Sequence, residues 1–436
     1  MEPDQVATWE KIATLGPLIV TPAMVLDPEG RRALTICGGG SSYTSGVRQL
    51  RLDGRAEWLL IETVGRPISP RRSLAAIYEP KHRRAIIYGG YDGTFLADVW
   101  QLTLERSPTW SRLAVAGEGP PPLAAAAAVY DSKRDRMLLI HGNDGIAPDF
   151  RYGGVWALNL SGRPRWQALT PAGPSPAPRS AHSAVYDPMH DRVIVFGGST
   201  SGLESCSDEL WELRLQGRGA WRKLELPEPR PGGREEHSAV VDSRRQEMLI
   251  YGGFGDCIEY GRAGTLALHD GWALSLGDAP VWRRLPDGPE RAGRWGHRAV
   301  FDPQHSRMIV AGGWGGMGST LALVNEPEVR APRALVAAKA PATPSSPADL
   351  PLRLAVRMPN PTRGALAMEL ALPTRGARLE LFDVTGRRVA QRELSDLGPG
   401  FVRYRWDATE QLPAGIYLMR LSRAKETVKK KVILLH

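Results

Sequence analysis

Short runs of β-branched and aliphatic residues recur along most of this chain, each closed by a glycine pair or its remnant. They are ALTICGGG (Gly38, Gly39), AIIYGG (Gly89, Gly90), MLLIHG (His141, Gly142), VIVFGG (Gly197, Gly198), MLIYGG (Gly252, Gly253) and MIVAGG (Gly312, Gly313). Runs that are apolar throughout, rather than alternating, predict strands covered on both faces. Each is preceded by a turn opening on Asp or Glu, and that turn by another short strand such as His182–Asp187 or His297–Asp302. A third strand follows the glycines and is marked by Trp100, Trp156, Trp211 or Trp272. A fourth opens near Trp58, Trp110, Trp166, Trp221 or Trp282. Four antiparallel strands repeated about every 50 residues make one blade of a propeller.

The ends of the repeat predict closure. Thr8-Trp9-Glu10 matches Thr109-Trp110-Ser111, a fourth-type strand with no blade before it. The last repeat has a candidate third strand near Thr320–Val324 and no tryptophan strand after it. Pairing the two orphans hides both edges, so six blades are expected over residues 1–325.

The glycine pairs, the later tryptophans and the Arg-x-x-His-Ser openings (Arg179 to Ser183, Arg234 to Ser238) resemble the Kelch family. The resemblance implies an all-β, six-bladed Kelch-type β-propeller. Two repeats depart from it: the first lacks the internal tryptophan, and the third reads as degenerate, with Gly142-Asn143 in place of a pair.

Residues 326–351 are rich in Pro and Ala and predict an extended linker. Seven short strand patterns then fill 352–436, which predicts a small C-terminal immunoglobulin-like β-sandwich. Asn360-Pro361, Gly364, Leu381 to Arg387, Leu412 to Tyr417 and the closing Lys430-Lys431 resemble the C-terminal sorting domains of bacterial type IX secretion cargo and the related module of flagellar hook-capping proteins. That resemblance implies a secreted or surface-attached protein whose tail meets the outer-membrane secretion machinery. The first residues lack the basic-then-apolar pattern of a signal peptide, which reads either as a sequence beginning late, the favoured reading, or as a tail that is only a structural relative of the sorting domains.

Composition narrows the partners. Hydrophobic residues make up 42% and charged residues 24%, a globular balance, and 47 Gly with 36 Pro suit many tight turns. The net charge is +9, but twelve arginines and four lysines against eight acids fall in 352–436. The repeat region is therefore nearly neutral and carries no basic stripe for nucleic acid. No run is long and apolar enough for a transmembrane segment.

Strand order puts the loop entering each first strand and the loop leaving each glycine pair on one face. A candidate ligand-binding rim there holds Arg71, Tyr91, Asp92, Asn143, Asp144, Arg179, His182, Arg234, His237, Phe254, Asp256, Arg294, His297 and Trp314. Arginine forks at the rim would grip a carboxylate or sugar acid, and aromatics would stack on a ring. The plainer reading is that Arg-x-x-His-Ser belongs to the repeat and satisfies backbone groups between blades. A three-histidine metal site is a further alternative, although no metal or other cofactor is expected. Asp98, Asp208 and Asp270 precede tryptophans at matching places, and repetition favours a turn role over catalysis. Cys206 and Cys257 lie in corresponding loops of neighbouring repeats, as a disulfide or as two free thiols.

Three function classes follow. One is an exported binding protein that takes a glycan or protein partner on the loop face. Another is a carbohydrate-active enzyme, since Kelch propellers include sialic-acid mutarotases and copper-radical oxidases. The third is a purely structural spacer or matrix component with no small ligand. The oxidase variant lacks its Tyr-His pairs here, with only Tyr91 and Tyr260 near the loops, whereas an unmatched acid such as Glu259 facing the channel would favour an enzyme.

Overall fold

A computed structural model of the chain describes residues 8–14, 19–39, 42–54, 56–146, 151–200, 206–255, 267–288, 293–315, 319–324, 353–356, 362–363, 366–372, 377–383, 387–394, 400–406, 412–413, 415–423 and 426–435. Asp256, Cys257, Glu259, Tyr260, residues 326–351 where a linker is expected, Asn360, Pro361, Gly364 and Gly386 lie outside them.

Six antiparallel sheets follow one another. The second is typical: Ala75–Glu79, Arg84–Tyr91, Phe95–Thr103 and Thr109–Arg112 pair in sequence order. The sixth is completed from the other end of the chain. Thr8–Thr14 pairs with Ser319–Val324, Trp9 opposite Leu323, outside Arg307–Trp314 and Trp295–Asp302. Each interface between neighbouring sheets has its own apolar core. Between the first and second it is built from Leu34, Ile36, Ala85, Ile87 and Leu102, with Trp110 at its outer end. The last interface, between sheets six and one, is closed by Ala33, Leu50, Val300 and Ile309. Strands buried on both faces in this way explain the continuous apolar runs.

A ring of backbone hydrogen bonds encircles the axis at the entrance to the innermost strands. Thr21 N–H donates to Gly296 C=O at 2.6 Å, Gly296 to Glu236 at 2.9 Å, Glu236 to Ala181 at 2.8 Å, Ala181 to Ala125 at 2.9 Å, Ala125 to Ser73 at 2.8 Å and Ser73 back to Thr21 at 2.9 Å. All six residues have positive φ, from 47° at Thr21 to 66° at Gly296. Left-handed backbone costs a non-glycine residue about 1–2 kcal/mol, and here every strained residue gains both a donor and an acceptor bond.

The glycine-pair register differs from expectation in two repeats. The bulge that holds Gly89-Gly90 in the second sheet falls on Cys37-Gly38 in the first and on His141-Gly142 in the third. Cys37 and His141 adopt φ of 57° and 52°, matching 60° at Gly89. The equivalent of a pair is therefore neither Gly38-Gly39 nor Gly142-Asn143.

The C-terminal unit holds two sheets. Arg353–Val356, Leu366–Leu372 and Gly400–Trp406 form one; Thr362–Arg363, Glu426–Leu435, Gly415–Arg423, Ala377–Phe382 and Arg388–Leu394 form the other. Leu370, Tyr404 and Trp406 from the first meet Leu379, Leu381, Met419 and Leu421 from the second in a shared core.

Candidate functional site

The four rim arginines are not on the rim. Arg71, Arg179, Arg234 and Arg294 are buried, at most 2% exposed. Each points outward between strands and donates to the carbonyl of the first glycine of its own blade: Gly89, Gly197, Gly252 and Gly312, at 3.0, 3.0, 3.1 and 3.4 Å. In three blades the same guanidinium meets an acid two residues before the internal tryptophan. Arg71 reaches Asp98 at 2.6 and 3.0 Å, Arg179 reaches Glu209 at 2.6 Å, and Arg234 reaches Asp270 at 2.9 Å through both nitrogens.

Arginine and glycine come and go together, and the acid accompanies them except in the sixth blade, where Ser319 stands in its place. Where the arginine is replaced by Ile19 or Leu123, the glycine position holds Cys37 or His141, and the acid position holds Gly46 or Gly154. Removing the cation removes the need for both partners, so the arginines brace the blades. The expected match of Asp208 to Asp98 shifts by one: Glu209 is the partner, and Asp208 pairs with Arg230 at 2.9 Å. Burial pushes the Glu209 carboxyl up, but bonds from Arg179, Trp211 and Lys223 outweigh it and hold it at about 2.

The histidines are equally internal. His182, His237 and His297 are 7%, 4% and 0% exposed. His237 Nε2 lies 2.7 Å from Ser183 Oγ, and His297 Nε2 lies 3.1 Å from the Tyr251 carbonyl. They do not converge, and no group of three ligating side chains placed for a metal occurs among the described residues. His182 sits against the Ile140 backbone, and His141, whose ring stands 5.8 Å from it, has no hydrogen-bond partner at either nitrogen. Burial pushes His141 and His237 down to about 3 and His182 and His297 well below the ordinary value, so all four are neutral.

The expected rim residues that do face outward are aromatic, amide or acidic. Tyr91 is half-buried, its ring 6.3 Å from Tyr43 and 5.1 Å from Phe95. The Arg72 guanidinium lies over both tyrosines, 5.7 Å from each ring. Asp92 accepts from Ser69 Oγ at 3.1 Å, Asn143 from the Gly145 amide at 2.9 Å and Asp144 from the Ile146 amide at 3.0 Å. In the sixth blade, next to the one that carries Tyr43, Trp314, half-exposed, stacks on buried Trp295 at 6.0 Å. Phe254 packs beneath Trp295 and is 3% exposed, which takes it off the rim.

Two residues that sequence reading passed over project into the axial channel. Arg298 stands where the preceding blades have Ser238 and Ser183, so HRAV against HSAV was the available signal. Glu236 stands in the hydrogen-bonded ring where other blades have Thr, Ser, Ala or Gly. Both line a cavity of about 160 Å³ on the axis, walled by Met24 and by an alanine from each of the other five blades. Cys37 is a free, buried thiol and Cys206 is disulfide-bonded, while its expected partner Cys257 lies outside the described residues.

Residues 21–186 and 145–325 match the KLHDC2/KLHL20/DRC7 Kelch-repeats domain, and residues 358–435 match a secretion system C-terminal sorting domain. Among curated proteins, Adagio-like protein 1 of Oryza sativa subsp. japonica is 28% identical over 234 residues, half of this chain and 36% of that protein. The host cell factor homolog of Caenorhabditis elegans is 26% identical over 249 residues, 52% of this chain and 30% of that protein. The chain thus spans about a third of the length of these relatives. Among solved structures, YjhT superposes with a TM-score of 0.54 at 14% identity, covering 73% of this chain and 97% of YjhT, a likeness of fold alone.

Proposed function

We propose, for a chain that belongs to the Kelch-repeat family, an exported binding protein that recognises a glycan or protein partner through the loop face of its propeller. Its C-terminal sorting domain points to a secreted or surface location and links it to a secretion system. No helix of the described residues is long and apolar enough to cross a membrane.

One observation carries the loop-face reading: the half-buried Tyr43, Tyr91 and Phe95 rings gathered around the Arg72 guanidinium. Aromatic faces beside a cation stack on sugar rings or on partner side chains at little conformational cost. Asp92, Asn143 and Asp144 supply polar edges in the same row of loops, and Trp314 offers a second aromatic surface. The buried arginines take no part, because their donors are used within the blades.

The test is a glycan array probed with the full-length chain, beside Tyr91→Ala and Trp314→Ala. Binding by the parent and a loss of about tenfold or more in either variant, ~1.4 kcal/mol, is the expected result. Binding that survives both changes, or no binding to any glycan or candidate protein partner, sinks the reading.

A further inference from the structure

We propose that the axial channel is a separate binding site for a small hydroxy-carboxylate, its carboxylate held by Arg298 and its hydroxyls by Glu236. The cavity of about 160 Å³ holds several waters or one molecule no larger than a monosaccharide. Its wall is otherwise plain: alanines from five blades, Met24, and the hydroxyls of Thr21 and Ser73, themselves 3.3 Å apart. Polar groups gather on one side, where blades four to six contribute His182, Ser183, Glu236, His237, Ser238 and Arg298.

Arg298 is the feature least explained by the fold. Every other blade places Ala or Ser at its position, so the ring closes without a long side chain there. A guanidinium has five N–H donors, and among the described residues its one hydrogen bond goes to the His297 carbonyl, at 2.8 Å. Half-buried cations are costly unless paired, and the neighbouring Glu236 carboxylate acts on Arg298 only through space. Gly296, the next residue in the hydrogen-bonded ring, keeps the space beside Glu236 open, since a Cβ there would stand 3.2 Å from Glu236 Oε2. Ser238, 4% exposed, adds a hydroxyl without a partner to the same wall. Unsatisfied buried donors and acceptors around a cavity call for an occupant that bonds to them.

The charges select the occupant. A guanidinium fork suits a carboxylate in two-pronged contact. A dianionic phosphate would meet the Glu236 carboxylate at close range, whereas a monoanion carrying hydroxyls offers that carboxylate donors. The site is independent of the rim, because Tyr43, Tyr91 and Phe95 do not line the cavity.

Calorimetric titration of the full-length chain with glucuronate, gluconate and lactate, and with glucose as the uncharged control, tests this. At least one hydroxy-acid is expected to bind saturably while glucose does not. Arg298→Ser, which installs the residue of the two preceding blades, should weaken that binding at least tenfold with an unchanged melting temperature. If Arg298→Ser unfolds, Arg298→Gln keeps the shape and removes the charge for the same readout. Tyr91→Ala should leave the titration unaltered, which separates this site from the rim. Absence of binding by all three acids at millimolar concentration, or binding retained by the folded Arg298 variant, overturns the proposal.

Discussion

Four neutral histidines inside the propeller make its stability depend on pH in a window where few other groups titrate. His141 and His237 are held near 3 by burial, against 6.5 for a free imidazole. A lowered folded-state pKa means that the unfolded chain takes up the proton first. Stability is therefore complete above about pH 6.5 and is lost progressively as pH falls toward the folded value. At about pH 5 each of these two histidines costs ~1.5 pH units times 1.36 kcal/mol, or about 2 kcal/mol. His182 and His297, shifted in the same direction, add to the loss. The carboxylates held low by arginines, such as Glu209 at about 2, begin to contribute only below about pH 4.5, so the window belongs to the histidines. Urea unfolding measured from about pH 7.5 to about pH 5 should lose at least ~4 kcal/mol of unfolding free energy. His141→Gly, which restores the residue at the matching place of four other blades, should remove about 2 kcal/mol of that loss. A flat profile across this window, or an identical slope in His141→Gly, would refute the reasoning.

Three further outcomes follow from the same packing. Arg234→Ala strips a 2%-exposed cation from Asp270 and the Gly252 carbonyl, and unfolding free energy should fall by about 3–5 kcal/mol; a loss under about 1 kcal/mol would contradict the bracing role. Gly198→Ala places a Cβ 2.6 Å from His182 Cβ at φ of 92°, and thermal melts should show a loss of at least ~2 kcal/mol. Non-reducing peptide mapping should recover Cys206 linked to Cys257, while Cys37, its thiol pushed up to about 12 by burial, stays unalkylated in the native protein. Rapid native labelling of Cys37 or of both loop cysteines would count against that assignment.

The repeat was readable because each blade must bury the same faces against its neighbours. VIVF before Gly197 and MIV before Gly312 are apolar for one reason, contact on both sides, and tryptophans such as Trp110 and Trp221 recur where the blades spread apart. Candidate site residues were harder. Arg179 and Arg234 look the same in sequence whether they reach out to a ligand or inward to Glu209 and Asp270, since a guanidinium suits either acceptor. Even the bulge register escaped reading in the first blade, where Gly38-Gly39 offers two glycines and the backbone uses Cys37-Gly38.

Local patterning alone thus determined the strands, their number per blade and the sixfold period, because strand burial and turn chemistry act over a few residues. Only the closed ring decided which side chains are spent and which remain. Arg294 and Arg298 are four residues apart on one segment, yet the first is sealed between strands and the second lines the axial cavity. That difference arises from strand orientation around a common axis, a relation among all six blades that no single repeat contains.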